Sequence, residues 1–180
     1  MSTKKKVMAV SGSTRANSTN LNFIKAIAAL AENSLEITLF EGLTDIPHFN
    51  PDLDNDHPPP EVAEFRNTLR EADGILICTP EYAMGVPGTL KNALDWTVSS
   101  MEFSQKPVAL ITASSLGEKG HRSLLETLQV IEAKMTSETQ LLISHAKTKI
   151  NPGAVITDKL TSEAIQTLIR AFVKLLTTPS

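Results

Sequence analysis

Short apolar runs and amphipathic stretches alternate along the whole chain. Runs of strand type cover Lys6–Ser11, Leu35–Phe40, Gly74–Thr79, Pro107–Ala113 and Gln140–Ile143. Between and after them, apolar residues recurring every three or four positions predict helices over Leu21–Ala31, Glu61–Ala72, Gly88–Ser99, Gly120–Thr136 and Lys159–Leu176. Val7–Val10, Ile75–Ile77 and Val108–Ile111 are unbroken apolar, as expected for strands covered on both faces. Such alternation predicts an α/β fold with a parallel sheet and helices on both sides.

Five strands suit a flavodoxin-like doubly wound sheet, order 2-1-3-4-5, better than the six-stranded dinucleotide arrangement. The most apolar strands, the first, third and fourth, are then central. Ligands of such sheets bind beyond the carboxyl ends of the strands, near the switch in strand order. The loops after those three strands all fall there, so the search for chemistry narrows to one end of the sheet.

Composition sets the class. At 180 residues, 41% hydrophobic and 21% charged, the chain reads as a single soluble globular domain spanning 1–180. A net charge of −3 provides no basic stripe, which argues against a nucleic-acid partner. One cysteine, Cys78, excludes a disulfide framework and a cysteine-based zinc site, and fits a cytoplasmic location. Met1–Lys6 carries three lysines, read as a solvated lead-in; the apolar run behind it stops at Val10, too short for a signal peptide or a membrane span. The longest connection, Glu41 to Pro60, holds Asp52, Asp54 and Asp56 in the spacing that opens a calcium loop. His57 stands where the turn glycine belongs and Ala63 where the bidentate glutamate belongs, so no metal is expected. The segment reads instead as an exposed loop stiffened by prolines.

The loop after the first strand is Ser11-Gly12-Ser13-Thr14-Arg15-Ala16-Asn17-Ser18-Thr19-Asn20. It holds hydroxyls, amides and one guanidinium, and no carboxylate. Between a strand and a helix, such a loop adds free backbone N–H groups and the positive helix end, a setting for a phosphate. Ser13, Arg15, Ser18 and Asn20 are the expected donors, and Ser18 or Asn17 also serves as an N-cap. No Gly-x-x-x-x-Gly-Lys string is present and the loop has a single glycine, so a nucleoside triphosphate or a dinucleotide fits poorly. A mononucleotide remains, and FMN is the usual one on this scaffold.

The stretch after the third strand, Thr79 to Trp96, carries the chain's one tyrosine, Tyr82, and its one tryptophan, with Pro80, Gly85, Pro87 and Gly88 fixing an irregular backbone at the mouth of that strand. It suits contact with a flat ring. Trp96, on the following helix, reads as core or subunit interface, with Lys91, Asn92 and Asp95 orienting that helix. The loop after the fourth strand, Ser114 to Arg122, again combines hydroxyls and glycines. His121 has no local nucleophile or acid to pair with, and no catalytic triad is visible.

These residues resemble the NADPH-dependent FMN reductase family, which includes bacterial quinone, chromate and azo-dye reductases. Gly12-Ser13-x-Arg15-x-x-Ser18-x-Asn20 is similar to its phosphate loop. Pro80-Glu81-Tyr82 followed by Pro87-Gly88-x-Leu90-Lys91-Asn92-Ala93-x-Asp95-Trp96 is similar to its most specific motif, and Asn151-Pro152-Gly153 with Thr157-Asp158 to the segment before its last helix. The resemblance implies that Ser13, Arg15, Ser18, Thr19 and Asn20 hold the phosphate. It places Pro80, Glu81, Tyr82 and Ala83 along the isoalloxazine, and Ser115 and Gly117 near its pyrimidine edge. Two positions depart from the pattern: Ala83 replaces the usual asparagine, and Gly120-His121-Arg122 replaces paired glycines before the arginine. The implied activity is hydride transfer from NADPH or NADH through FMN to a small-molecule electron acceptor such as a quinone, free flavin, ferric iron, chromate or an azo compound. The flavin carries that chemistry, so no protein nucleophile is needed. A homodimer or homotetramer is also implied. A flavodoxin-type electron carrier and an inactive flavin-binding protein are the alternative readings.

Overall fold

The computed structural model describes residues 4–178; the start of the lysine-bearing lead-in, residues 1–3, lies outside them. Five parallel strands form one sheet: β1 (Lys5–Ser11), β2 (Leu35–Leu39), β3 (Gly74–Thr79), β4 (Val108–Ala113) and β5 (Gln140–Ile143). Their order is β2-β1-β3-β4-β5, the flavodoxin-like order expected from the sequence. The helices are α1 (Thr19–Leu30), α2 (Pro60–Glu71), α3 (Gly88–Asp95), α4 (Glu118–Val130) and α5 (Lys159–Thr177).

The strand pleat sorts the apolar runs into two cores. Val7, Ala9, Leu76, Cys78, Ala109 and Ile111 face α1 and α5, meeting Phe23, Ile27, Leu168 and Phe172. Met8, Val10, Ile75, Ile77, Val108 and Leu110 face α2, α3 and α4, meeting Phe65, Leu69, Leu90 and Leu128. Every residue of β3 and β4 is buried, which explains why those runs show no alternation of polarity.

Two helices end earlier than the apolar spacing predicts, where local caps and, for α3, a tertiary partner take the last carbonyls. Apolar spacing extends α3 to Ser99, yet the helix stops at Asp95. The Trp96 carbonyl there accepts from Arg66 Nε at 2.8 Å and Ser100 Oγ at 3.3 Å, and Leu94 O accepts from the Thr97 hydroxyl. Helix α4 stops at Val130, not Thr136. Glu132 takes a left-handed φ of 61°, and Ala133 N and Glu132 N donate to Leu128 O and Gln129 O, a Schellman ending without its usual glycine.

The connection from Glu41 to Pro60 is pinned to the domain. Trp96 is fully buried and its indole N–H donates to Pro47 O at 2.8 Å, while Phe49 packs edge-on against its ring. Asn92 accepts from Phe49 N at 2.7 Å and donates to Pro47 O at 2.9 Å. Arg66, only 5% exposed, pairs with Asp54 at 2.7 Å, and Asp54 also accepts from Ser99 Oγ. Asp54 is thus committed to an internal ion pair. The motif residues Asn92 and Trp96 hold this loop, and Lys91 pairs with Asp95 along the helix.

Candidate functional site

The β1 loop is drawn tightly against the end of β3. Gly12 N donates to Cys78 O at 2.9 Å, and a Cβ at Gly12 would lie 2.7 Å from the Thr79 Cβ and closer still to its hydroxyl. Glycine is required here for close approach. The loop then enters α1 through Ser18, whose Oγ accepts from Asn20 N at 3.2 Å, so Ser18 is the N-cap. Asn20 is buried, and its Oδ1 accepts from the Cys78 thiol at 3.4 Å. That hydrogen bond turns the donor end of the Asn20 amide away from the sulfur. Burial pushes the Cys78 thiol well above its ordinary pKa, leaving it protonated and inert.

The β3 loop folds as a miniature hairpin. Tyr82 and Gly85 exchange backbone hydrogen bonds of 2.8 and 2.9 Å around Ala83 and Met84, with φ of 49° and 65°. Positive φ at both central residues is the pattern of a type I′ turn, which favours asparagine or glycine at those positions. Ala83→Asn is accordingly expected to raise unfolding stability by about 0.5–1 kcal/mol, read as a higher denaturation midpoint. Behind this hairpin, Glu81 Oε2 accepts from Gly120 N at 2.6 Å, and Ser114 Oγ reaches Glu81 O at 3.5 Å. The β4 loop enters α4 through Gly117, buried and left-handed at φ 97°. His121 lies in the first turn of α4 with Nδ1 2.8 Å from the Thr112 hydroxyl. Burial pulls its pKa down, so the ring is neutral at pH 7.

These loops enclose a cavity of about 450 Å³ at the carboxyl ends of β1, β3, β4 and β5. Ser13, Arg15, Ser18, Thr19 and Asn20 line one part, and Pro80, Glu81, Tyr82 and Ser115 another. Nine of the residues singled out from the sequence therefore meet in one place. Two do not line it. Ala83 sits at the exposed tip of the hairpin, and Gly117 is buried beneath the β4 loop as the hinge into α4. The rest of the wall is Ser114 from the predicted β4 loop, Ala113 at the end of β4 and, outside the segments singled out from the sequence, His145, Ala146, Lys147 and Thr148 from the loop after β5. His145 N and Ala146 N donate to Ser115 O and Ser114 O, which brings that loop to the cavity. The signal available was its place at a strand's carboxyl end, with basic and hydroxyl residues clustered in it.

The charge pattern fits an anionic flavin mononucleotide. Arg15 is exposed and, among the described residues, pairs with no carboxylate. Glu81 is the sole acid among the lining residues, and one of its carboxylate oxygens, Oε2, accepts from Gly120 N. The volume lies within the usual range for cofactor sites, roughly 300–1,000 Å³. A second concavity of about 460 Å³, between β2 and α2, is lined by Glu36, Glu41, Glu64 and Glu71 against Lys6 alone, and suits no phosphate.

Comparison with known proteins agrees with this geometry. The family model for NADPH-dependent FMN reductase matches residues 5–148. An NAD(P)H-dependent FMN reductase of Pseudomonas aeruginosa is 33% identical over 177 residues, covering 95% of each chain. A quinone reductase of Escherichia coli is 32% identical over 165 residues, covering 87% of each. Among solved structures, the flavoenzyme NAD(P)H:(acceptor) oxidoreductase FerB of Paracoccus denitrificans superposes with a TM-score of 0.85 at 30% identity, over 96% of this chain and 97% of that one. With its sheet order, its hydroxyl-rich first loop and the match across most of its length, the chain belongs to the NADPH-dependent FMN reductase family.

Proposed function

We propose that the cavity holds FMN and that the protein is an NAD(P)H-dependent oxidoreductase acting on small acceptors, quinones foremost. Bound FMN supplies the hydride chemistry between nicotinamide and acceptor. The guanidinium of Arg15, the hydroxyls of Ser13, Ser18 and Thr19, the amide of Asn20 and the N-terminus of α1 take the phosphate. Pro80, Glu81 and Tyr82 border the ring through their backbone, with Ser115 on its far side. Ala83 and Gly117 act from behind, as turn and hinge. The observation that carries this reading is that the donors of the β1 loop line the cavity together with Arg15, which pairs with no carboxylate among the described residues, while the one lining acid, Glu81, turns Oε2 to Gly120 N.

The protein's part is to bind, to orient and to keep one face of the ring reachable. Tyr82, Met84 and Leu116 stand 51%, 66% and 66% exposed on the β3 and β4 loops, an apolar rim suited to a nicotinamide or an aromatic acceptor. Free flavin, ferric iron, chromate and azo compounds are further acceptor classes in this reading. Self-association as a homodimer or homotetramer, implied by the family resemblance, belongs to the same reading. The 180 residues act as one domain, in a cytoplasmic setting consistent with the reduced Cys78.

The test is an absorption spectrum of FMN-loaded protein before and after NADPH or NADH is added without air, followed by a quinone. Flavin bands that bleach and then return are expected; bands that NAD(P)H leaves unchanged overturn the assignment. Arg15→Ala is expected to weaken FMN binding by about 1.5–3 kcal/mol, the range for a hydrogen bond to a charged group. Unchanged affinity in a fluorescence titration removes Arg15 from the site.

A further inference from the structure

Glu81 sits in the motif Pro80-Glu81-Tyr82, yet its carboxylate is directed at a helix from another strand. Helix α4 begins at Gly117, which has no side chain to cap it, and its orphan N–H groups need acceptors. One acceptor comes from thirty-nine residues away: Glu81 Oε2, 2.6 Å from Gly120 N. The approach is close along the whole contact. A Cβ at Gly120 would lie 2.9 Å from Gly85 O and 3.0 Å from Glu81 Cγ, so the hairpin and the first turn of α4 touch backbone to backbone. Ser114 Oγ adds a second tie, to Glu81 O at 3.5 Å.

We propose that Glu81 is a positioning residue: by capping α4 across the gap, it fixes the spacing between the β3 and β4 loops before the flavin enters. The inference rests on the reading of the cavity as an FMN site. Its physical basis is that these two loops border the ring from neighbouring strands whose pairing ends at Thr79 and Thr112, and beyond that point two hydrogen bonds tie them, Gly120 N to Glu81 Oε2 at 2.6 Å and Ser114 Oγ to Glu81 O at 3.5 Å. The carboxylate anchored on the helix N-terminus is the shorter of the two, and the positive helix end offsets its charge. Fixing the gap in advance removes an ordering cost from binding.

The test separates reach from charge. Glu81→Gln keeps the length and a carbonyl acceptor but loses the charge; Glu81→Asp keeps the charge but falls one methylene short. FMN is titrated into each full-length variant, and exchange of the Gly120 amide is followed by NMR. The expected result is FMN affinity lowered about tenfold in Glu81→Asp, the usual scale for loss of a helix cap, with a smaller loss in Glu81→Gln. Gly120 exchange should accelerate more in Glu81→Asp than in Glu81→Gln. The reverse order, with Gln impaired and Asp normal, overturns the proposal in favour of a direct charge effect. Wild-type affinity and exchange in both variants overturns it outright. If Arg15→Ala weakens FMN while Glu81→Asp does not, the site reading stands and this inference falls. If wild-type protein binds no FMN, both fall.

Discussion

Gly12→Ala is expected to lower FMN affinity by about a hundredfold, equivalent to about 2.7 kcal/mol. The added methyl would lie 2.7 Å from Thr79 Cβ and 3.1 Å from Thr79 Cα. No rotamer of Thr79 relieves that contact, because neither atom moves with χ1. The strand cannot yield: Thr79 ends β3, at the centre of the sheet and fully buried. The β1 loop must therefore lift, breaking the Gly12 N to Cys78 O hydrogen bond and moving Ser13 and Arg15 off the phosphate position. Overpacking of this kind costs about 1–3 kcal/mol in folding. Titration of FMN by flavin fluorescence, alongside circular dichroism to confirm a folded chain, reads the two effects separately. Combining Gly12→Ala with Thr79→Gly removes the offending Cβ and is expected to recover part of the affinity. Wild-type binding by Gly12→Ala alone would show that the β1 loop does not carry the phosphate.

The largest expected loss of stability comes from the other end of the molecule. Asp54→Ala leaves Arg66 buried with no carboxylate, and breaking such a pair costs about 3 kcal/mol. For a chain of this length that corresponds to a Tm lowered by roughly 6–12 °C in calorimetry. Replacing both residues, Asp54→Leu with Arg66→Met, is expected to cost less than Asp54→Ala, since no charge is then stranded. The pH dependence has a defined sign. Burial alone raises the Asp54 carboxyl, but hydrogen bonds from Arg66 and Ser99, with the Arg66 charge, outweigh it and hold the group below the usual carboxylate range. A depressed folded pKa means the unfolded chain binds the proton more readily. The contribution is therefore full above the unfolded value near 3.9 and disappears as pH falls through the lower folded value. A Tm unchanged in Asp54→Ala at pH 7 would show that the pair does not brace the loop.

Sequence pattern made the sheet legible because central parallel strands must be apolar on both faces, as β3 and β4 are. It also marked the β1 loop as the candidate phosphate site, where donors without a carboxylate sit between strand and helix. What it hid were the long-range commitments of polar groups. Arg66 is one polar position within the predicted helix Glu61–Ala72, and its buried carbonyl partner at Trp96 is thirty residues away. The loop from 41 to 60, rich in proline and aspartate, accordingly looked exposed throughout, although Phe49, Pro47 and Asp54 are each tied down. The motif places Glu81 beside Tyr82 along the ring, and only the position of α4 shows where its carboxylate goes. The wall supplied by His145 to Thr148 was hidden for a related reason. Backbone hydrogen bonds to Ser114 and Ser115 bring it in, and backbone pairing leaves little trace in residue type.

The apolar rim at Tyr82, Met84 and Leu116 has a practical meaning for engineering. The side chains of Tyr82 and Leu116 contribute little to the core, so a library randomised at these two positions would sample new acceptors with few unfolded members, whereas Met84, at a φ of 65°, favours asparagine or glycine. Changes a few ångströms deeper, at Gly12 or Gly120, would spoil the scaffold instead. Catalytic breadth and foldability are in this way assigned to separate layers of the same loops, and the outer layer is free to drift.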